Sequence, residues 1–277
     1  MTLTIGTQIG VDTSLTSAAM ALSLSSFSEQ IIKPQITLLA NKVDNTIMSE
    51  AFNSVYNSVG TPGTIPTAYS TYLDAQAKLD EYACPRDGQR AVVIGPQMQA
   101  NIVDALKALF QTSGKIADQY DTGEMGKAGG MTWQMDQNTT ARTSGALGGT
   151  PLIDGTIASG ATSITTDGWT ASTLVVAEGD VFTLADVYSV NPVGKTSTGV
   201  LQQFVVTAAG TSDGSGDLTI SISPSIITSG ATQTVSAVPA DNAALTFASA
   251  ASVSSAQGMV WHKSAIALAF AELQKPQ

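Results

Sequence analysis

The chain has 277 residues, of which 43% are hydrophobic and only 12% are charged, and its net charge is −10. So apolar a composition excludes a disordered chain, and the acidic balance argues against a surface that grips nucleic acid with Lys and Arg. The one cysteine, Cys84, excludes an intrachain disulfide, and its place before Pro85 favours a structural thiol. The sequence contains no run of 18 apolar residues, so it predicts no membrane span. The N-terminus lacks the pattern of a signal peptide.

The first predicted element is a long helix that begins near Ser25, after an extended segment over 1–24. From Ser25 to about Asn57, apolar residues recur at three- and four-residue steps, which predicts one apolar stripe along a helix. The stripe consists of Phe27, Ile31, Ile32, Ile36, Leu39, Val43, Ile47, Ala51 and Val55. Pro34 is expected either to kink this helix or to occupy the first turn of its main part.

Shorter helices and strands follow in the rest of the first 150 residues. The sequence "GTPGTIPT" at 60–67 is a clear break between the long helix and these elements. The patterns predict, in chain order, a helix over 67–83, an apolar strand at 90–95, a helix opened by Pro96, a Gly-rich loop at 111–130 and an alternating strand at 131–137. This part of the chain is therefore predicted to be mixed α and β.

Between about 151 and 258 the helical period disappears. Short alternating runs are separated by turn residues, and "SDGSGD" at 212–217 is a hairpin signal. The pattern predicts five or more strands in a small barrel or sandwich. Eight acidic residues and one basic residue, Lys195, give this stretch a charge of −7, which supports a domain with its own surroundings.

The last segment, 258–276, alternates and then becomes continuously apolar, which predicts one or two strands buried against the first region. An all-β block between two pieces of one α/β unit is typical of an insertion domain. The predicted parts are 1–66 with the long helix, 67–150 as an α/β part, 151–250 as an inserted all-β domain and 251–277 as strands that return to the α/β frame.

The sequence "YSVNPVGKTSTG" at 188–199 contains the end of a phosphate-binding loop. Gly194, Lys195 and Thr196 match that end, but Ser189 stands where the first glycine belongs, and a strand rather than a helix follows. The segment therefore predicts a hairpin tip with one exposed lysine. Lys195, as the only positive charge of an acidic domain, is expected to bridge to an acidic group on a neighbouring subunit or within the domain.

Other candidate chemistry is weak. His262 is the only histidine, and no acid stands near it in the sequence to orient it for a Ser-His-Asp mechanism, which favours a structural histidine. "DGSGD" lacks the glutamate of a calcium loop, because Pro224 holds that place. Asp80 and Glu81 are expected on a solvated helix face. The sequence therefore predicts no catalytic residue, no cofactor-binding residue and no metal ligand, and hence no enzyme.

Four long stretches, taken in order, resemble the major coat protein of tailed bacteriophages. They are "LSLSSFSEQIIKPQITLLANKVDNTI", "GTIPTAYSTYLDAQAKLDEYACPRDGQRAVVIGPQMQANIVDALKALFQ", "IADQYDTGEMGKAGGMTWQMDQN" and "GDVFTLADVYSVNPVGKTSTGVLQQFVVT". The resemblance runs from about Ser14 to Pro276 and is to the branch of short-tailed Salmonella phages, whose coat carries an extra β-domain. No single motif is diagnostic, and the specificity comes from several long matches in one order.

The resemblance implies an α+β chain with the tailed-phage capsid fold. Residues 25–57 would form the spine helix of the peripheral domain, 67–137 would belong to the axial domain, and 151–245 would form the inserted all-β barrel or sandwich. Coat proteins of this branch have a longer N-terminal part and continue past Gln277, so the resemblance also implies a truncated form.

The implied function is structural: a major capsid subunit that self-assembles into an icosahedral shell around double-stranded DNA. The implied partners are other copies of the chain in capsomers, a scaffolding protein, a portal, and packaged DNA without sequence-specific binding, and no membrane is involved. The implied location is the virion, with assembly in the host cytoplasm.

Two other functions stay open at this point. The Ser- and Thr-rich acidic β-domain is compatible with a phage-associated binding, decoration or adhesion module that takes a glycan or a cation. A nucleotide hydrolase acting through Lys195 is the enzyme alternative.

Overall fold

The computed structural model describes residues 6–11, 27–106 and 125–271. The predicted helix start at Ser25, the end of the helix opened by Pro96 and most of the Gly-rich loop at 111–130 lie outside the described residues. So do the end of the last segment and most of the extended N-terminal stretch.

The described residues contain a π-helical turn (Ser28–Ile32) that leads into α1 (Lys33–Ser54), followed by α2 (Tyr69–Glu81) and α3 (Pro96–Leu106). The strands are β1 (Arg90–Ile94), β2 (Lys127–Ala128), β3 (Met131–Met135), β4 (Ala141–Thr143), β5 (Gly149–Ile153), β6 (Ala161–Trp169), β7 (Leu174–Val176), β8 (Val181–Val190), β9 (Ser197–Val206), β10 (Gly210–Thr211), β11 (Leu218–Ile226), β12 (Leu245–Phe247), β13 (Ser254–Ala256) and β14 (Met259–His262). The molecule is therefore mixed helix and sheet.

The first unit, which we call the frame, is a four-stranded sheet with helices packed against it. Its strand order is β14-β1-β3-β2, with β1 parallel to β3 and antiparallel to β14. The predicted strands at 90–95 and 131–137 are thereby confirmed. The buried core of the frame consists of Tyr72, Val92, Ile94, Met98, Ile102, Met125, Met131 and Trp133.

The long helix α1 departs from the prediction in its burial and at its end. Pro34 occupies the first turn of α1, as one of the two alternatives expected. The helix ends at Ser54, and Val55 already has extended backbone, so the predicted continuation to Asn57 is wrong. Within α1 only Met48 is buried, and Ile36 of the predicted stripe is 60% exposed. The stripe is present in the sequence, but the described residues cover it only in part, and Ile32, Ile36 and Val55 stay exposed.

The second unit is a closed six-stranded antiparallel barrel. Its strand order is β12-β8-β9-β11-β6-β5, and the ring closes where β5 meets the residues that precede β12. At the closure, the amide of Ile153 donates to the carbonyl of Ala243 at 3.0 Å and the amide of Asn242 donates to the carbonyl of Ile153 at 2.9 Å. The predicted all-β stretch of five or more strands is confirmed, and of the two predicted architectures the structure has the barrel.

A short ribbon connects the barrel to the frame. The chain leaves the frame through β4 and comes back through β13, and these two strands pair antiparallel, with Ser254 opposite Thr143 and Ala256 opposite Ala141. The barrel therefore hangs on paired entry and exit strands, and its core is separate from the core of the frame.

Two predictions made from short patterns hold in their main point. "SDGSGD" lies in the connection between β9 and β11, which pair antiparallel, while the short strand β10 within that connection pairs with β7. The last segment forms one strand, β14, which pairs with β1 of the frame, so the prediction of one or two strands is confirmed there. The apolar run after β14 forms no strand, and Leu268 is 54% exposed and Phe270 is 76% exposed. The local pattern cannot show which strand lies next in space.

In the part of the chain that the structure describes, no helix combines the length and the apolar character needed to cross a bilayer.

Candidate interaction surfaces

The barrel is fixed to the frame by a buried ion pair next to the ribbon. Arg142 on β4 donates from Nη1 to Oδ1 of Asp180 at 2.7 Å, and the side chain of Asp180 is 1% exposed. Its other oxygen accepts the amides of Gly145 at 3.0 Å and Ala177 at 2.8 Å. A buried carboxylate needs a counter-charge and several hydrogen bonds, and here both come from the place where the chain enters the barrel.

Two neighbouring glutamines on β9 form a second polar contact between barrel and frame. The side-chain amide of Gln203 accepts the Ser58 amide at 3.1 Å and donates to the Ser58 carbonyl at 3.0 Å. The hydroxyl of Tyr82 donates to Oε1 of the fully buried Gln202 at 3.1 Å. Burial raises the pKa of Tyr82 to about 12. The seam is therefore polar, unlike the two apolar cores that it joins.

A buried arginine organises the loop between α2 and β1. Arg90 is 1% exposed and donates to the carbonyls of Cys84 and Pro85 and to Asp80. Asp80 also binds Arg86, and the hydrogen bond from Arg86, together with Arg90, holds the pKa of Asp80 far below its usual range. Asp80 lies on a partly solvated helix face, as expected, but the loop brings two arginines back onto it, which the sequence did not indicate.

The structure places Lys195 at the tip of the hairpin between β8 and β9, so the predicted hairpin tip is confirmed. The expectation that Lys195 is exposed is wrong, because its side chain is half-buried in the turn. Oδ1 of Asn191 accepts the amides of Val193 and Gly194, each at 2.9 Å. The backbone donors that a phosphate-binding loop would offer are thus used within the turn. Among the described residues Lys195 forms no salt bridge, and a contact to a neighbouring subunit stays a prediction.

His262 has an acid partner, contrary to the expectation from sequence. Its Nε2 lies 3.1 Å from both carboxylate oxygens of Asp87, and its Nδ1 lies 2.7 Å from Oγ of Ser264. The amide of Ser264 also donates to Nδ1, at 3.3 Å. The arrangement fastens the loop before β1 to the end of β14. Asp87 was not expected here because it is 175 positions away in sequence and only the β1–β14 pairing brings it close.

Acidic side chains gather near the turn before β11. Oδ1 of Asp213 accepts the amides of Ser215 and Asp217, and these hydrogen bonds lower the pKa of Asp213. Desolvation and the charges of Asp213, Asp154 and Asp167 raise the pKa of Asp217. In the described residues, no three His, Cys, Asp or Glu side chains are grouped closely enough to hold a metal ion.

Large apolar side chains are exposed at several places in the described residues, including Met135 and Leu174, and the groups used below lie on α1, on the last segment and at the hairpin tip. On α1 they are Ile36 at 60% and Leu38 at 62%, on the last segment Leu268 at 54% and Phe270 at 76%, and at the hairpin tip Val193 at 80%. Exposed apolar side chains grouped on one element mark surfaces that another molecule covers. These surfaces, rather than a cleft with perturbed ionisable groups, are the candidate functional site.

Sequence reasoning missed the residues of the polar seam. The signal for Gln202 and Gln203 is present, because two adjacent glutamines interrupt the otherwise apolar strand "VLQQFVV". A polar pair in a strand of this kind indicates a buried hydrogen-bonding contact. Arg142 and Asp180 give no such signal, since nothing in the sequence shows that they meet.

Comparison with known proteins gives few matches. No protein-family model matches the chain, and no curated protein matches it. Among solved structures it is similar to the CUS-3 coat protein I-domain, with 26% identity and a TM-score of 0.26 over 36% of this chain and 94% of that one. It is also similar to a chain from Mycobacterium phage Che8, with 14% identity and a TM-score of 0.35 over 72% of this chain and 58% of that one.

These structural neighbours are phage proteins, and one of them is a coat-protein domain. Both TM-scores are too low to establish that either protein shares the fold of this chain.

Proposed function

We propose that this chain is a major capsid subunit of a tailed phage, which self-assembles into an icosahedral shell around double-stranded DNA. The observation that carries the proposal is the combination of a barrel with its own core and a frame whose longest helix exposes Ile36 and Leu38. A shell subunit needs extended, weakly charged contact surfaces, and an isolated protein gains nothing from exposing Ile36 and Leu38.

The order of elements along the chain supports the same proposal. The sequence resemblance to tailed-phage coat proteins implies a spine helix, an axial domain and an inserted β-domain. The structure has a 22-residue helix α1, an α/β sheet and a barrel joined by paired entry and exit strands. The finer identification as the Salmonella-phage branch rests on that resemblance alone.

The proposed partners follow from the proposed role. They are other copies of the chain in capsomers, a scaffolding protein, a portal and packaged DNA that is held without sequence readout, and the proposed location is the virion. A structural role requires no catalysis, and we assign no catalytic residue to the chain.

The direct test is to express the gene together with its scaffolding gene and to examine the product by electron microscopy and light scattering. Shells or capsomers are expected. A strictly monomeric product in the presence of the scaffold contradicts the proposal.

The exposed face of α1 gives a second test with a matched control. Replacing Ile36 and Leu38 by serine should abolish assembly while the melting temperature of the monomer changes little, because neither side chain is buried in the chain. The control is Leu174→Ser in the barrel, where the side chain is 54% exposed. If the α1 variant and the control assemble equally well, the exposed face of α1 is not part of the contact surface.

The proposed role of Lys195 is a bridge to a carboxylate on a neighbouring subunit. Its place at the hairpin tip and its lack of a salt bridge within the described residues support this role. Lys195→Ala should weaken assembly and make it less sensitive to salt, and it should leave the melting temperature of the monomer unchanged. Lys263→Ala is the control. A melting temperature of the parent protein that does not change with ATP and magnesium would remove the nucleotide-hydrolase alternative.

The alternative of a binding, decoration or adhesion module is favoured by the acidic end of the barrel around Asp217. Binding to a glycan array, or a melting temperature that rises with calcium, would support it. If neither signal is observed, this alternative has no support.

A further inference from the structure

The segment after β14, residues 265–271, belongs to no helix or strand. Its sequence "AIALAFA" alternates large apolar residues with alanine, as a strand does. The amide of Ala265 closes a turn on the carbonyl of His262, at 2.8 Å. From Ile266 to Ala271 no backbone hydrogen bond is formed with the described residues. We call these residues the tail.

The tail exposes the side chains that a paired strand would bury. Phe270 is 76% exposed and Leu268 is 54% exposed. An unpaired row of backbone groups beside exposed alternating apolar side chains is a template for pairing with another sheet.

An open sheet edge with an apolar groove lies on the same chain. β14 is the outermost strand of the frame sheet, so its outer edge has no strand partner among the described residues. Beside it lies a groove of about 710 Å³ that is lined by α1, β14, Cys84 and the first residues of the tail. Ile47, Ala51, Val55 and Trp261 give this groove its apolar character. Leu268 of the same copy lies at its wall, and Phe270 of the same copy is not part of its lining.

We propose that the tail of one copy pairs with the β14 edge of a second copy and places Leu268 and Phe270 in this groove. The inference rests on the proposed shell function and names one of its contacts between subunits.

Charge favours the tail of a second copy over a foreign peptide. The groove contains the ionisable groups of Glu50, Cys84 and His262, and the imidazole of His262 already faces Asp87. The tail has no ionisable side chain between residues 264 and 271. A strongly acidic or basic strand would bury an unpaired charge here, and this strand does not.

The area involved sets the strength of the contact. Covering the exposed parts of Leu268 and Phe270 removes roughly 250 Å² of apolar surface from water, far below the roughly 800 Å² per partner of a stable interface. The contact is therefore weak in one pair of molecules and is expected at high concentration or in a closed assembly. Because it joins two different surfaces, it propagates from copy to copy as the contacts of a ring or shell do.

The first experiment measures association of the full chain by sedimentation velocity over a range of concentrations. The variant carries Leu268→Ser and Phe270→Ser, and the control carries Leu174→Ser and Val238→Ser, both at exposed positions of the barrel. The tail variant should need at least a tenfold higher concentration to associate, while the control behaves like the parent. Equal association of all three proteins overturns the inference.

The second experiment uses the native Cys84 in the groove, which is free. Phe270→Cys, mildly oxidised, should give disulfide-linked dimers and higher species on a non-reducing gel, and adding Cys84→Ser should remove them. Dimers that survive Cys84→Ser indicate tail-to-tail contact, and a crosslink within one monomer indicates that the tail folds onto its own groove; either result overturns the inference. Shells that form normally in the serine tail variant refute only the tail contact, whereas crosslinked dimers without any shells refute only the proposed shell.

Discussion

The barrel and the frame bury their apolar residues to very different degrees. In the barrel, Phe182, Phe204 and Ile153 are fully buried, and the ring of strands closes on itself. In the frame, α1 has one buried residue, Met48, and Phe270 near the end of the described residues is exposed. A closed barrel satisfies its backbone and its core alone, whereas the described part of the frame leaves large apolar side chains exposed. Contacts with another molecule are therefore to be sought on the frame.

The largest expected effect is in the barrel core. Phe204 is fully buried and stacks on Phe182 with ring centroids 5.8 Å apart. Phe204→Ala should lower the free energy of unfolding of the barrel by about 4 kcal/mol, the cost of a lost aromatic side chain plus the cavity. Hydrogen exchange measured by mass spectrometry should show faster exchange in β8, β9 and β11 and little change in β1 and β3. A uniform increase in both units would mean that they unfold together.

The next effect concerns the link between the two units. Asp180→Asn leaves Arg142 without its buried partner and should cost about 3 kcal/mol of unfolding free energy. Denaturant unfolding should show the loss, and limited proteolysis should cut the ribbon β4–β13 first. The control is Thr183→Val, a change of a half-buried residue in the same barrel. Unchanged stability of Asp180→Asn would show that the ribbon alone fixes the barrel.

Acid should have a smaller effect, which is a loss of stability of the frame. The hydrogen bond from Arg86, with Arg90, lowers the pKa of Asp80 in the folded frame, so this carboxylate stabilises the frame at pH values above its ordinary unfolded pKa. That stabilisation is lost as the pH falls below this value towards the lower folded one. Asp80→Asn should therefore destabilise the frame at pH 7 and flatten its loss of stability in acid, as followed by melting temperature against pH. A parallel acid profile for parent and variant would exclude this role.

The smallest effect is expected at the acidic end of the barrel. Desolvation and neighbouring carboxylates raise the pKa of Asp217 in the folded state, so its ionised form is unfavourable there. Asp217→Asn should raise the melting temperature of the barrel slightly at pH 7, and the gain should vanish as the pH falls through the ordinary range of a carboxyl. Asp241→Asn serves for comparison. A lower melting temperature for Asp217→Asn at pH 7 would show that the charge of Asp217 stabilises the barrel.

Periodicity in the sequence predicted the elements well where local pattern and burial agree. The apolar run before Pro96 gave β1, Pro96 opened α3, and alternating runs gave the long strands β8, β9 and β11. The stripe of α1 predicted the helix but not its exposure, because a stripe shows which face is apolar and not what covers it. The tail shows the same limit, since an alternating pattern indicates a strand and does not supply its partner.

The candidate surfaces needed the folded chain. The hairpin tip with Lys195 was predicted, because turn residues between two alternating runs define it locally. Asp87 beside His262, and Arg86 and Arg90 on Asp80, were not predicted, because the contacts depend on how β1 pairs with β14 and how the loop after α2 returns.

The sequence by itself determined the kinds of elements, their order and the acidic all-β stretch with one lysine at a hairpin tip. Those features depend on residue type and on spacings of two to four positions, which fix local backbone preference and the apolar face of each element. The folded structure was needed to show that the β stretch closes into a barrel, that Arg142 and Asp180 meet at its base, and that apolar residues of α1 and of the tail, such as Ile36 and Phe270, stay exposed. Those facts depend on which distant segments pack together, and the type of a residue does not specify which distant residue it will contact.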